Sequence, residues 1–196
     1  PIQNAEYGLE YSQIMLDNGF QNGDKILAVN DFAVAEPSDV IEKILIDGKQ
    51  NVTVLRGVET IHVTLPKDFS QQVLAENDAN LFSVRQPFVV ADVIGGTPAS
   101  KADMQAGDSI VGINGQSMFI FQDIAAELNK NKNSTVEIAY IRDGKEMQSD
   151  LQIGEDGKMG VSVMPYVAFF ATEKIQYGFF QSIPAGIKYG WDTLVN

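Results

Sequence analysis

Residues 19–30 read Gly-Phe-Gln-Asn-Gly-Asp-Lys-Ile-Leu-Ala-Val-Asn, and residues 103–114 read Asp-Met-Gln-Ala-Gly-Asp-Ser-Ile-Val-Gly-Ile-Asn. Each stretch is an apolar anchor, a tight turn that ends in Gly-Asp, a short apolar strand and an Asn that opens another turn. The glycine allows a backbone with positive φ, and we expect the aspartate to accept hydrogen bonds from the amides that follow it. Two such copies predict two copies of one domain.

Composition limits the class of protein. The 196 residues suit two domains of about 80 residues each, and 44% hydrophobic residues allow each a modest core. A net charge of −12 repels phosphate backbones and anionic membrane surfaces, so we expect no nucleic-acid partner. The absence of cysteine is compatible with an oxidising compartment without requiring one. No signal peptide or apolar span is visible, and we interpret the abrupt ends as those of an excised fragment.

The first copy has a recognisable order of elements. Residues 8–11 predict a shortened opening strand, and a helix begins at Pro37 with Ser38 or Asp39 as its N-cap. The buried stripe of this helix would be Val40, Ile41, Ile44 and Leu45. A hairpin over 51–56 and 60–65, a connecting helix over 69–77 and a closing strand over 81–85 complete the copy.

The second copy repeats this order with a longer opening strand, 88–94. Its helix covers 121–129 with Ile124 and Leu128 facing inward, and an Asp-Gly turn joins the strands of its hairpin. A final strand covers 158–164. Both copies therefore predict a small, partly open β-barrel with flanking helices, an α+β and mainly β fold. We place the domains at 1–85 (with a connecting segment, 66–80) and 86–165, followed by a tail, 166–196.

A resemblance to a known family begins at residues 97–108. They read Thr-Pro-Ala-Ser-Lys-Ala-Asp-Met-Gln-Ala-Gly-Asp, close to the S-P-A-x-x-A-G-L-x-x-G-D signature of bacterial PDZ domains. The element order is similar to the circularly permuted PDZ fold of bacterial proteases. A tandem of two, followed by residues 177–186, resembles the periplasmic tandem PDZ region of bacterial site-2 (regulated intramembrane) zinc metalloproteases. This resemblance covers nearly the whole chain.

The resemblance implies a parent enzyme whose zinc is held by an H-E-x-x-H helix and a distant Asp in flanking transmembrane helices. Neither motif is present here, because His62 is the only histidine and there is no cysteine. His62 should be solvated, on the strand face opposite Ile61 and Val63. We therefore expect no catalytic residue and no cofactor in this fragment, with zinc in the parent alone.

A PDZ fold binds by adding an extended peptide strand to a sheet edge beside a helix. In the second copy the resemblance puts the carboxylate-binding turn at Met159, Gly160 and Val161. Val161 and Val163 would floor the groove, and its wall would be Ile124 and Leu128. The alternative interpretation is that Gly157 and Gly160 only shape the turn into the closing strand.

The first copy departs from this pattern. Its corresponding turn would be Phe82, Ser83 and Val84, and the serine side chain would crowd the amides. Val40 and Ile44 would then belong mainly to the core. In the second copy Phe121 opens the helix where some family members have a histidine, so the resemblance does not imply recognition of a peptide hydroxyl.

The tail carries apolar residues at helical spacing: Phe180, Ile183, Ile187, Trp191 and Leu194. We interpret this stripe as a juxtamembrane helix at the membrane surface, the alternative being a terminal helix packed on its own domain. Enzyme motifs are missing, since there is no G-x-S-x-G elbow and no Walker loop. The acidic residues of 17–24 do not fit an EF-hand, and Glu155-Asp156 reads as a solvated turn.

Two functions remain open. The first is a periplasmic regulatory module, soluble as a fragment, that gates access of a pre-cut single-span substrate such as an anti-sigma factor in envelope-stress signalling. Its partners would be the substrate or its exposed C-terminus, the parent's transmembrane helices and, through the tail, the surface of the bacterial inner membrane. The second is a peptide-recruiting PDZ pair of a soluble periplasmic serine protease or a secretion-system protein.

Overall fold

The computed structural model describes residues 2–76 and 80–169. The predicted juxtamembrane helix and its apolar stripe lie outside these ranges. The chain divides into two compact units, unit 1 (Pro1–Gln86) and unit 2 (Pro87–Asn196).

The described part of unit 1 consists of six strands and three α-helices. They are β1 (Leu9–Tyr11), α1 (Gln13–Asp17), β2 (Lys25–Val29), β3 (Phe32–Ala33), α2 (Pro37–Ile41), β4 (Asn51–Arg56), β5 (Glu59–Thr64), α3 (Phe69–Glu76) and β6 (Phe82–Val84). The strands form one four-stranded and one two-stranded antiparallel sheet, in the orders β3-β2-β4-β5 and β1-β6. A 3₁₀ turn over Ile2–Asn4 precedes β1, and the helix α2 continues into a π-helical turn, Glu42–Ile46.

Helix α2 has a different cap from the predicted one. Its N-cap is Glu36, not Ser38 or Asp39, because Pro37 takes the first helical position, where a missing N–H costs nothing. The Asp39 carboxylate instead accepts hydrogen bonds from the N–H groups of Ala35 (3.0 Å) and Glu36 (2.9 Å). These two backbone hydrogen bonds lower the pKa of Asp39, and the bond from Glu36 has the larger effect.

The described part of unit 2 repeats the two sheets. Its elements are β7 (Val90–Val93), α4 (Pro98–Lys101), β8 (Ser109–Ile113), β9 (Gln116–Ser117), α5 (Phe121–Lys130), β10 (Thr135–Arg142), β11 (Lys145–Gln152) and β12 (Val161–Val163). The strands pair in the orders β11-β10-β8-β9 and β12-β7, and a 3₁₀ turn over Tyr166–Phe169 follows β12.

The Gly-Asp strands β2 and β8 occupy equivalent places in the two units. The N–H of Leu9 donates to the carbonyl of Asp24 (3.0 Å), and the N–H of Val90 donates to the carbonyl of Asp108 (2.9 Å). In each unit the last strand pairs with the first, β6 with β1 and β12 with β7. The predicted repeat, the element order and the permuted, partly open barrel are therefore confirmed.

The aspartate of each Gly-Asp turn bonds a different amide from the predicted one. The Asp24 carboxylate accepts the N–H of Gln21 (2.9 Å), and that of Asp108 accepts the N–H of Gln105 (2.8 Å). Each amide lies three residues before the aspartate, so the carboxylate closes the turn backward. The expectation that it bonds the following amides is wrong.

Each unit has its own hydrophobic core. In unit 1 the sheet packs against α2 and α3, and the core includes the side chains of Ile26, Val52 and Val54, all 0% exposed. In unit 2 the sheet packs against α5 through Ile110 and Ile138, also 0% exposed. Outside the unit 1 core, the side chain of His62 is exposed on β5, as predicted.

Candidate functional site

Strand β12 of unit 2 has one paired edge and one edge that no described strand covers. The Gly160 carbonyl accepts a hydrogen bond from Ile94 (2.9 Å), and the N–H of Met164 donates to Val89 (2.9 Å), both toward β7. Alternate residues of a strand direct their backbone groups to the same side. The N–H and C=O groups of Val161 and Val163 therefore point away from β7, toward the uncovered edge.

The turn before β12 depends on two glycines. Gly157 has φ +70° and Gly160 has φ +86°, in the region that side chains rarely adopt. A Cβ on Gly160 would lie 2.2 Å from the Cβ of Thr97, and one on Gly157 would lie 3.1 Å from the Cα of Asn129. Both glycines are thus required by the turn itself, as the alternative interpretation holds, whether or not the turn also binds a ligand.

This turn also presents two unused backbone donors. The Met159 carbonyl accepts a hydrogen bond from the N–H of Ala99 (2.9 Å), which fixes the turn on α4. Within residues 2–76 and 80–169, no group accepts a hydrogen bond from the amides of Met159 and Gly160. In a turn, successive backbone N–H groups can form a concavity that suits an anion such as a carboxylate.

The predicted wall residues and Met159 of the turn are buried. Ile124 is 0% exposed, Leu128 3% and Met159 2%, so all three side chains belong to the core beneath the turn. The apolar α5 side chains that remain half-buried are Phe121 and Ala125, one helical turn apart. Sequence reasoning missed Ala125, although its spacing of four from Phe121 was a usable signal.

Two neighbours help to define the groove. Val161 and Val163 are half-buried and pack against the unit 2 core, whereas Ser162 between them is exposed. The Phe121 ring contacts Phe88 edge-on, with 5.3 Å between ring centroids. The valine side chains can therefore form the floor of a groove, and the role of the predicted residues in binding a peptide stays a prediction.

Unit 1 shows that the predicted equivalence of Ser83 and Gly160 is wrong. The N–H of Ser12 donates to Leu81 (2.9 Å) as the N–H of Ile94 donates to Gly160. Leu81 is thus the counterpart of Gly160. The connection before β6 is longer than the one before β12. An alignment of the two units by residue counting is therefore out of register at the closing strands.

Ser83 instead has its counterpart in Ser162. It lies opposite Glu10 in the β1–β6 pair, just as Ser162 lies opposite Asp92 in the β7–β12 pair. Ser83 therefore does not crowd a carboxylate-binding turn.

The remaining predicted residues of unit 1 are close to its core. Phe82 and Val84 are half-buried and pack against it, and Val40 (0% exposed) and Ile44 (2%) are part of it. The interpretation of the two helix residues as mainly core is consistent with this burial.

The described residues contain neither a candidate metal site nor a candidate membrane span. Among the residues that the structure describes, no three His, Asp or Glu side chains come together in a group that could hold a metal ion. No helix in the same part of the chain is both long and apolar enough to cross a bilayer.

Residues 73–153 match the family model of the PDZ domain. Unit 2 has the PDZ fold. The match includes β6 and ends before β12, whereas in the structure β6 pairs within unit 1 and β12 closes unit 2. The closing strand of this PDZ domain thus follows the matched segment instead of preceding it. Unit 1 has the same topology and therefore the same fold.

Three relatives share much of this chain. A candidate zinc metalloprotease of Borreliella burgdorferi is 30% identical over 74% of this chain and 32% of its own length. One of Neisseria meningitidis serogroup A is 23% identical over 91% of this chain and 43% of its own. A Do-like serine protease, HtrA, of Lactococcus lactis subsp. lactis is 30% identical over 67% of this chain and 32% of its own. The chain thus matches less than half the length of each relative.

Proposed function

We propose that the chain is the tandem PDZ region of a site-2-type zinc metalloprotease and that unit 2 binds the free C-terminus of a peptide. The observation that carries this proposal is the uncovered edge of β12, which begins beside the unused amides of Met159 and Gly160. An extended peptide could add to this edge as an antiparallel strand. Its backbone would pair with Val161 and Val163.

The groove chemistry favours an apolar C-terminal segment. The peptide carboxylate would accept hydrogen bonds from the amides of Met159 and Gly160, and its side chains would contact Val161, Val163 and Phe121. The net charge of −12 slows the approach of acidic peptides, most of all at low salt.

In the parent protein this module would act as a gate on the periplasmic face of the inner membrane. A single-span substrate such as an anti-sigma factor, once cut outside the membrane, has a new C-terminus that a PDZ domain can bind. The described residues of this chain supply no zinc ligand set, so the metal would be held by other segments of the parent. The parent's transmembrane helices would be the second partner of the module.

A second candidate is a PDZ pair of an HtrA-type serine protease, which the 30% identity to the Lactococcus relative supports. The two parents differ in chemistry outside this chain. A metalloprotease parent should bind zinc stoichiometrically and lose activity with a chelator. A serine protease parent should keep its activity with the chelator and lose it with a serine-reactive inhibitor.

The binding proposal is tested by fluorescence anisotropy with the 196-residue chain. The ligand is a labelled octapeptide that ends in valine, once with a free carboxylate and once amidated. We expect saturable binding of the free acid and at least about a tenfold loss of affinity for the amide, because the amide removes the charge-assisted hydrogen bonds. Equal binding of both peptides, or of neither, would contradict the proposal.

A further inference from the structure

The two units differ most in the segment that leads into the closing strand. Leu65 and Ile153 are equivalent, since their N–H groups donate to Gln50 (2.8 Å) and Ser134 (2.9 Å) at the start of the preceding hairpin. The closing strands are reached at Leu81 in unit 1 and at Gly160 in unit 2, whose carbonyls accept equivalent hydrogen bonds. Between these points unit 1 has fifteen residues (66–80) and unit 2 has six (154–159).

The additional length of unit 1 forms α3, which packs on the π-helical turn that follows α2. The Ser70 hydroxyl lies 3.4 Å from the carbonyl of Ile44 and 3.3 Å from that of Leu45, to which it donates. Carbonyls in the last turn of a helix lack a partner within the helix, so Ser70 caps this end. Phe69 (2% exposed) and Val73 (4%) fix α3 in the same core as Ile44.

In unit 2 the backbone of the shorter segment approaches the end of the equivalent helix, α5. Gly157 lies against the C-terminal end of α5, and a Cβ there would meet Asn129 at 3.1 Å and the Lys132 side chain at 3.0 Å. Among residues 80–169, no helix lies in the chain between the end of α5 and the turn at Met159 and Gly160. The segment that leads to the closing strand is therefore a short loop in unit 2, whereas in unit 1 it contains a packed helix.

We propose that α3 closes the carboxylate end of the unit 1 groove, so that unit 1 is occupied by its own chain and unit 2 alone binds a C-terminal peptide. The ligand class rests on the proposed function, whereas the closure rests on the contacts of α3. Displacement of α3 would open a second binding site without any change in unit 2.

Two variants test this closure. Deletion of residues 68–76 leaves six residues before Leu81, the length found in unit 2. Val73→Ala keeps α3 but removes two buried methyl groups, and Leu74→Ala is its matched control because Leu74 is 80% exposed on the same helix. Each is titrated as the whole chain with the free-acid octapeptide, and amide shifts are followed by ¹⁵N NMR.

In the unmodified 196-residue chain we expect amide shifts at Val161–Val163 and none at Phe82–Val84. The deletion variant should gain shifts at Phe82–Val84, and Val73→Ala should raise the apparent affinity of unit 1 by about tenfold over Leu74→Ala, because more molecules have α3 displaced. The inference would be overturned if both units of the unmodified chain showed equal amide shifts. It would also be overturned if the deletion variant folded and unit 1 still showed no shifts. If the deletion variant does not fold, Val73→Ala decides. If unit 2 of the unmodified chain showed no shifts, that result would refute the proposed function instead.

Discussion

Arg142 and Asp108 are joined by two hydrogen bonds of 2.7 Å, from Nε and Nη2 of the guanidinium to the two oxygens of a carboxylate that is 0% exposed. The same Nη2 also donates to the carbonyl of Asp103 (2.9 Å). The hydrogen bond to Asp108 raises the pKa of Arg142. The pair therefore links the end of β10 to the Gly-Asp turn.

Unit 1 repeats this arrangement with Arg56 and Asp24. Two bonds of 2.8 Å join the guanidinium to the carboxylate, and Nη2 donates to the carbonyl of Gly19 (2.9 Å). The arginine–aspartate pair is present in both units, although the segments before their closing strands differ. We therefore interpret the pair as a structural element of the fold.

Arg142→Met should destabilise unit 2 by about 3–5 kcal/mol, because it leaves a buried carboxylate without its partner. Arg56→Met should do the same in unit 1. Lys145→Met is the control, since Lys145 is exposed at the start of β11. Urea unfolding followed by NMR signals of each unit measures the effect. A loss below about 1 kcal/mol would mean that the pair acts as a surface salt bridge.

Gly160→Ala should destabilise unit 2 by about 2–4 kcal/mol, because the new Cβ overlaps Thr97 and the residue has positive φ. Gly95→Ala is a matched control, since a Cβ there meets nothing within 4 Å. Thermal unfolding of the two variants gives the comparison. Equal stability of both would show that the turn can relax around a side chain.

Val163→Pro should abolish peptide binding and leave unit 2 folded. The proline removes an N–H that points to the uncovered edge, and proline is tolerated on edge strands. Ser162→Pro should instead disturb the fold, since the N–H of Ser162 points toward β7. Circular dichroism and anisotropy together separate the two effects. A Val163→Pro variant that is folded and still binds at parental affinity would exclude strand addition at β12.

The N-terminus of α2 should weaken in acid. The pKa of Asp39 is lowered in the folded state, so its stabilising effect is present above the unfolded value of about 3.9 and is lost as the pH falls through the folded pKa. NMR titration of the Asp39 carboxyl should give a midpoint below that of the unfolded chain. Asp39→Ala should abolish this part of the pH dependence, while Ser38→Ala should retain it.

The repeated Gly-Asp turns could be predicted because each residue type answers a local requirement. Gly23 and Gly107 both have positive φ, as the turn demands. Arg56 and Arg142 could not be predicted as partners of the aspartates, because they lie more than thirty positions away in the chain. Only the pairing of strands brings them together.

The sequence predicts a groove beside β12 and α5, but it could not show which apolar side chains are buried and which are accessible. Helical periodicity identifies apolar positions, yet it does not separate Ile124 and Leu128, which face the core, from Ala125, which is half-buried. The equivalence of Leu81 and Gly160 was hidden by the insertion of α3, since residue counting cannot give a hydrogen-bond register.

The central claim is that unit 2 takes a C-terminal peptide as an added strand on β12. A crystal structure of the chain with the free-acid octapeptide tests it most directly. We expect the peptide antiparallel to Val161–Val163, with its carboxylate within about 3 Å of the amide nitrogens of Met159 and Gly160. A peptide bound elsewhere, or bound on β12 with its carboxylate away from these amides, would contradict the account.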